Sequence, residues 1–306
     1  MNRPVAVVGL GQCALDVVGR LGEYPPPDQK AELDDLRVQG GGPVATALVT
    51  LARLGVRTAF CGCVGDDDFG TRIRSGLAEE KVDCRHLQTV AGATSQFAFI
   101  VVDGTARRTI FWNRGNAGPL DPGCLPEDLL VRSRILHLDG LQARPSLAAA
   151  RIAREAGVTT VLDGGTWREG TPELLPLIDH LVVGEKFARQ VAGENLEAAL
   201  ERLVSFGARA VTVTRGGQGS LTLGRDGRCF TQPAFAVDAV DTTGCGDVFH
   251  GGYIYGLLQE WPLERTVRFA AACAALKTRA LGGRTAIPTL EEVRELLAMD
   301  GNRPGR

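Results

Sequence analysis

Apolar positions at the start of the chain run together rather than alternate. "VAVVGLG" (5–11) is β-branched and ends in glycines, the pattern of a strand buried on both faces. Residues 17–39 break that style with three consecutive prolines, Pro25 to Pro27, and mixed charges. This predicts an exposed flap of short strands and loops rather than a core helix. "GGGPVATALVTLARLG" (40–55) places an apolar stripe between an early proline and Gly55, a helix with a glycine-rich entrance and a glycine stop. "RTAFCGCVG" (57–65) predicts a strand and "FGTRIRSGLAEEKV" (69–82) a helix. "SQFAFIVVDGTARRTIFWN" (95–113) predicts a hairpin turning at Asp103-Gly104.

From about residue 134 the two periods alternate. Strand "RILHLDG" precedes helix "SLAAARIAREAG", "VTTVLDGG" precedes "PELLPLI", and "HLVVG" precedes helices over 185–207. "ARAVTVTRG" precedes a hairpin ending near 237, and two helices follow at 263–280 and 289–298. Alternating strands and helices predict an α/β fold, a parallel sheet sandwiched by helices. No repeat interrupts the 306 residues, and 301–306 reads as a frayed tail.

Composition narrows the function more than the fold. A 44% hydrophobic content supplies a sizeable core, and a net charge of −2 speaks against a nucleic-acid or membrane-surface protein. A small anionic ligand stays open, because a helix N-terminus or a local arginine can hold one. The eight cysteines are scattered, with one C-x-C at Cys61 and Cys63 in a strand-like context, read as small buried residues. Such usage fits a reducing cytoplasm. The apolar stretch before Asp16 is too short for a membrane span and lacks a cleavage pattern.

The chemistry concentrates in "DTTGCGDVFHGGYIYGLL" (241–258). Glycines permit a tight turn, and the helix that starts there aims free N–H groups and a positive dipole end at a ligand. That makes an anion hole. Asp247 in the first turn repels phosphate but is well placed to take a proton from a hydroxyl that attacks it. A carboxylate that merely complements the helix dipole is the plainer alternative.

The motif and its surroundings resemble the ribokinase-like (PfkB) carbohydrate kinase family, whose signature D-T-x-G-A-G-D appears here as Asp241 to Asp247 with Cys245 in place of alanine. "GLGQCALD" is similar to the family's first strand, and "GGGPVATALVTLARLG" to its second signature. "CVGDDDFG" and "VTRGGQGS" fit too, so the resemblance spans nearly the whole chain, as one domain over 1–306. It implies a small β-rich lid from about 12–40 and 92–115, and ATP-dependent transfer to a hydroxyl of a small sugar, a terminal hydroxymethyl being expected. Asp247 would be the base, with Gly244, Cys245 and Gly246 as the anion hole. Asp16, Gly41, Gly42 and Thr46 would meet the sugar, with Asn113 and Arg114 reaching it from the lid. Thr214, Gly216, Gly219 and Glu185 would lie on the ATP side. Mg²⁺ would travel with ATP, K⁺ is an optional expectation at Asp241, and two lids would pair in a homodimer.

Three departures bear on the substrate. Thr46 stands where the second signature carries asparagine, and Gly184-Glu185-Lys186-Phe187 replaces the N-x-x-E segment tied to Mg²⁺. "GGGPVAT", "VDTTGCGDVFHG" and "GGRTAIP" look nearest to the sulfofructose kinase branch, yet Leu141-Gln142 stands where that branch has its sulfonate arginine. Asp139 and Arg168, past strand ends, are further candidates against capping and surface readings; His250 reads as packed. "GLGQCA" (9–14) matches a dinucleotide fingerprint, but Pro25 to Pro27 interrupt the unit it needs, and no Walker A sequence is present. A nucleoside kinase on the same fold and a non-catalytic sugar-binding regulator are the alternatives.

Overall fold

The computed structural model describes residues 5–301; the tail residues 302–306 lie outside it. Strands β1 (Val7–Leu10), β4 (Thr58–Gly65), β5 (Asp83–Val90), β8 (Ile135–Leu138), β9 (Thr159–Gly164), β10 (His180–Gly184), β11 (Ala210–Thr214), β12 (Ser220–Gly224) and β13 (Cys229–Gln232) form one sheet. Its order is β13-β12-β11-β10-β9-β8-β1-β4-β5. All pairs are parallel except the β11–β12–β13 edge, where short hairpins replace helical crossovers. The β8–β1 contact is a switch point: the chain leaves β1 toward β4 and leaves β8 toward β9. Crevices at such points open beyond the carboxyl ends of the strands.

Helices cover both faces: α1 (Pro43–Arg53), α2 (Asp68–Glu79), α3 (Glu127–Arg132), α4 (Ala143–Glu155), α5 (Thr171–Leu174), α6 (Glu185–Ala192), α7 (Leu196–Val204), α8 (Cys245–Leu258), α9 (Leu263–Lys277) and α10 (Leu290–Gly301). Every residue of α8 from Val248 to Gly256 is buried. A helix that is apolar all round belongs between neighbours, and α8 is packed by α1 on one side and α9 on the other. Its first turn is therefore held rigidly. Full burial of a side chain such as Phe269 contributes about 1.5–3 kcal/mol relative to exposure.

Strands β2 (Ala14–Arg20), β3 (Asp35–Gly41), β6 (Phe97–Val102) and β7 (Arg108–Asn113) make a second sheet in the order β3-β2-β6-β7. The run ending at Asp16 is thus two strands, not one. β1 belongs to the large sheet, and Asp16 sits on β2 of the small one. The inner face buries Val18, Ala98, Ile100 and Val102 against Leu281. The hairpin turn also differs from the two-residue Asp-Gly turn its sequence predicts. Val102 pairs with Arg108, leaving a five-residue loop. Asp103 Oδ1 organises that loop by accepting from the Thr105 and Arg107 amides, and Ala106, not Gly104, takes the left-handed conformation at φ 62°. Strand β5 and helix α3 were not anticipated from the pattern.

Candidate active site

The loop from Asp241 to Gly244 turns into α8 through Gly244, whose φ of 74° is left-handed. A Cβ there would come within 2.8 Å of the Gly283 carbonyl oxygen, so the site requires glycine for conformation and for space. The Cys245 amide lies 3.3 Å from the Thr242 carbonyl oxygen, within a turn. The N–H groups of Gly246 and Asp247 lie in the first helical turn and have no intrahelical acceptor. A Cβ on Gly246 would meet nothing within 4 Å, so a ligand can approach that backbone closely. Burial pushes the Cys245 thiol up, which leaves it neutral near pH 7.

Asp247 is half-buried in this turn, and its carboxyl is pushed up to about 7, first by burial and then by the negative charge of Asp163. Asp163 ends β9, and burial raises its carboxyl as well, with His250 opposing. Sequence reasoning missed Asp163, although it ends "VTTVLDGG" as Asp139 ends "LHLDG". Asp139 is spoken for: Oδ2 accepts from the Gln12 amide at 2.7 Å and Oδ1 from the Leu141 amide at 2.9 Å. It ties β8 to the segment between β1 and β2. His250 is buried, with Nδ1 2.7 Å from the Gly246 carbonyl oxygen and Nε2 3.1 Å from that of Val182, a clamp between α8 and β10.

Asp16 lies on the inner face of the small sheet, and its negative charge adds a small part to the upward push on the Asp247 carboxyl. Burial pushes its carboxyl up to about 6 while the Arg284 guanidinium pulls it down. Any Cβ on Gly41 would collide with the Asp16 carboxylate, and Gly42 is the N-cap residue of α1. Arg284 is buried. It donates from Nη2 to the Gly41 carbonyl at 3.0 Å and from Nε to Thr46 Oγ1 at 3.3 Å, so Thr46 holds Arg284. On β7 the registers Asp16–Ala98 and Ala98–Trp112 put Trp112, 53% exposed, on the face of Asp16. Asn113 falls on the opposite row, and its Oδ1 accepts from the Gly115 amide. Arg114 stacks over Trp112 and, with Arg144, Gln12 and Leu141, lines a cavity of about 300 Å³. Neither arginine has an ion-pair partner among the described residues.

On the other flank, Gly216 and Gly219 are both left-handed in the turn that joins β11 to β12. Thr214 ends β11 and donates to the Val183 carbonyl at 3.3 Å. Glu185 opens α6 and pairs with Arg189 at 3.1 Å, and Arg168 is exposed beyond β9. Among the described residues no three His, Cys, Asp or Glu side chains gather as a metal cluster. Asp163, whose negative charge bears on Asp247 at the start of α8, is the carboxylate that a phosphate-borne Mg²⁺ would meet. Asp241 is different. Its Oδ1 accepts from the Thr243 amide and its Oδ2 from the Gly282 amide, each at 2.7 Å. Its backbone oxygen accepts from Lys277 Nζ at 2.9 Å.

Strand-end acids, an open helix N-terminus and a small sheet over the crevice define an α/β phosphotransferase. The chain belongs to the pfkB family of carbohydrate kinases, whose model matches residues 5–290, and it is an ATP-dependent sugar kinase of that kind. It is 33% identical over 298 residues to the ATP-dependent ribose-1-phosphate kinase of Halopiger xanaduensis, covering 96% of this chain and 98% of that one. It is 29% identical over 302 residues to the ribokinase of Haemophilus influenzae, covering 94% and 97%. A crystal structure from Agrobacterium tumefaciens, described provisionally as a ribokinase, superposes with a TM-score of 0.92 at 28% identity over 98% of this chain and all of the other. Among the described residues no helix is long and apolar enough to cross a membrane.

Proposed function

We propose that this kinase moves the γ-phosphoryl group of ATP to a terminal hydroxymethyl group of a small sugar, with Asp247 as general base. One observation carries this: a half-buried carboxylate stands in the first turn of a helix whose first N–H groups have no intrahelical acceptor, and burial and Asp163 raise its affinity for a proton. Asp16, Gly41 and Gly42 hold the sugar, with Thr46 acting through Arg284 and Trp112 facing it from the small sheet. The amides of Gly244 and Gly246 receive the transferring phosphoryl group together with that of Asp247; the Cys245 amide, expected beside them, lies 3.3 Å from the Thr242 carbonyl oxygen and shapes the turn instead. Thr214, Gly216 and Gly219 flank the nucleotide, and Glu185 reaches it through water. Asp163 would face Mg²⁺ carried by the phosphates, which would supply charge neutralisation there. The small sheet closes as a lid and excludes water that would compete for the phosphoryl group.

A second reading concerns the sugar itself. Arg114 and Arg144 flank a cavity beside the loop that Asp139 braces, and no carboxylate of the described residues neutralises them. This favours a sugar that carries an acidic group. The outer face of the lid supports pairing with a second copy. Val38, Val17, Phe99 and Phe111 align in one row across all four strands, with Phe111 56% exposed. Eight free cysteines fit a cytoplasmic protein.

A panel of neutral sugars, acidic sugars and nucleosides with ATP, read by ADP release and product mass, tests these readings. A sugar phosphate is expected, with acidic sugars preferred. Turnover confined to nucleosides overturns the sugar assignment.

A further inference from the structure

Lys277, the last residue of α9, is 0% exposed and ranks among the largest fully buried side chains. Its ammonium donates to the Asp241 carbonyl oxygen at 2.9 Å. Burial disfavours the charge, and Asp241, Cys245 and Asp247 oppose that effect while Arg108 adds to it. The surrounding loop is stitched tightly, with the amides of Val240 and Asp241 both donating to the Thr278 carbonyl at 2.7 and 3.0 Å. A monovalent cation sheds water only where several oxygens replace its shell. The Asp241 carbonyl oxygen that such a shell would use already accepts from the Lys277 ammonium at 2.9 Å, and a second cation there would meet that charge at short range. The K⁺ expected at Asp241 therefore does not fit this site while the Lys277 ammonium occupies it.

We infer that Lys277 is the resident cation of this loop: its tethered ammonium holds the Asp241 carbonyl, and with it the turn into α8, so that the kinase works without a dissociable monovalent cation. Lys277 is a positioning residue that acts through Asp241. The inference rests on the reading of 241–247 as the anion-hole turn.

Sugar phosphorylation by the parent enzyme is measured with K⁺ or with tetramethylammonium as the only monovalent cation. The rates should agree within about twofold, far less than the loss of one charge-assisted hydrogen bond would produce. Severalfold activation by K⁺ overturns the inference, and this result does not depend on any variant folding. In Lys277→Met, kcat should fall about tenfold or more, and K⁺ or NH₄⁺ should restore part of it. Thermal melting gives a readout independent of turnover: K⁺ should raise the Tm of Lys277→Met and leave the parent unchanged. A variant as active as the parent in every salt, or a parent stabilised by K⁺, also overturns the inference. Failure of the phosphotransfer reading looks different, as no sugar phosphate in any salt with the melting pattern intact.

Discussion

The guanidinium of Arg108 donates from Nη1 to Thr242 Oγ1 at 2.9 Å, joining residues 134 apart in sequence. Thr242 Oγ1 also lies 3.4 Å from the Ala106 carbonyl oxygen, so the tip of the small sheet rests on the loop that enters α8. Arg108 thereby adds positive charge near Cys245, Asp247 and Lys277. Arg108→Ala should lower kcat/KM for sugar phosphorylation about tenfold to a hundredfold, the worth of one charge-assisted hydrogen bond at about 1.5–3 kcal/mol. ADP should then form in excess of sugar phosphate, because a loosened lid admits water. Tight coupling with parental kcat/KM would show the contact to be incidental.

The acidity of Asp247 gives a pH signature. Its carboxyl is raised to about 7, and only the ionised form accepts a proton. In the free enzyme kcat/KM should therefore be full above pH 7 and fall as pH drops through it. Asp247→Asn should lose about 10²-fold or more in kcat while binding an ATP analogue normally. Activity of Asp247→Asn within threefold of the parent, roughly 0.6 kcal/mol, would remove Asp247 from the chemistry.

Asp163 supplies part of that upward push, after burial itself. Replacing it with a neutral isostere removes a negative neighbour, so the Asp247 carboxyl ionises more easily. In Asp163→Asn the acid limb of the kcat/KM profile should move to lower pH. An unmoved limb, read on the same substrate, would show that burial alone sets the Asp247 acidity.

The turn into α8 separates backbone from side chain. Cys245→Ala should leave turnover close to the parent, since the thiol is held neutral and the turn uses only the Cys245 amide. Gly244→Ala should fare far worse, because it forces a Cβ at φ 74° to within 2.8 Å of the Gly283 carbonyl oxygen. Steady-state rates and Tm of both variants check this. An inactive but folded Cys245→Ala would implicate the thiol.

What the sequence disclosed and what it hid divide along one line. The 241–247 motif and the glycines at 41 and 42 were legible because local backbone demands leave local signatures. Lys277 was not, since a lysine in the last turn of a helix reads as a solvated partner of the helix dipole, and only packing shows it buried. Arg284 and Arg108 find Thr46 and Thr242 through contacts 238 and 134 residues apart, which no local pattern encodes. Asp163 and Asp139 end similar strand segments, and only the amides that Asp139 accepts from show it to be a brace. The Asp103-Gly104 pair predicted a short turn, and the side-chain bonds of Asp103 built a longer loop instead.

Asp16 and Arg284 are electrostatically coupled on the proposed sugar side. Burial raises the Asp16 carboxyl to about 6, and the nearby guanidinium keeps it from rising further. Asp16→Ala removes the acceptor outright. Sugar affinity should weaken by one to three decades, at about 1.4 kcal/mol per decade, with affinity for an ATP analogue unchanged. Arg284→Met acts differently. Without the positive charge, Asp16 stays protonated to higher pH, so sugar affinity should be impaired at neutral pH and recover as pH rises. Calorimetric titration of each variant with the best sugar across this range distinguishes the two. A loss in Arg284→Met that is the same at every pH would mean that Arg284 only packs Gly41 and Thr46 in place. An Asp16→Ala enzyme that kept the sugar and lost the nucleotide would exchange the two halves of the site.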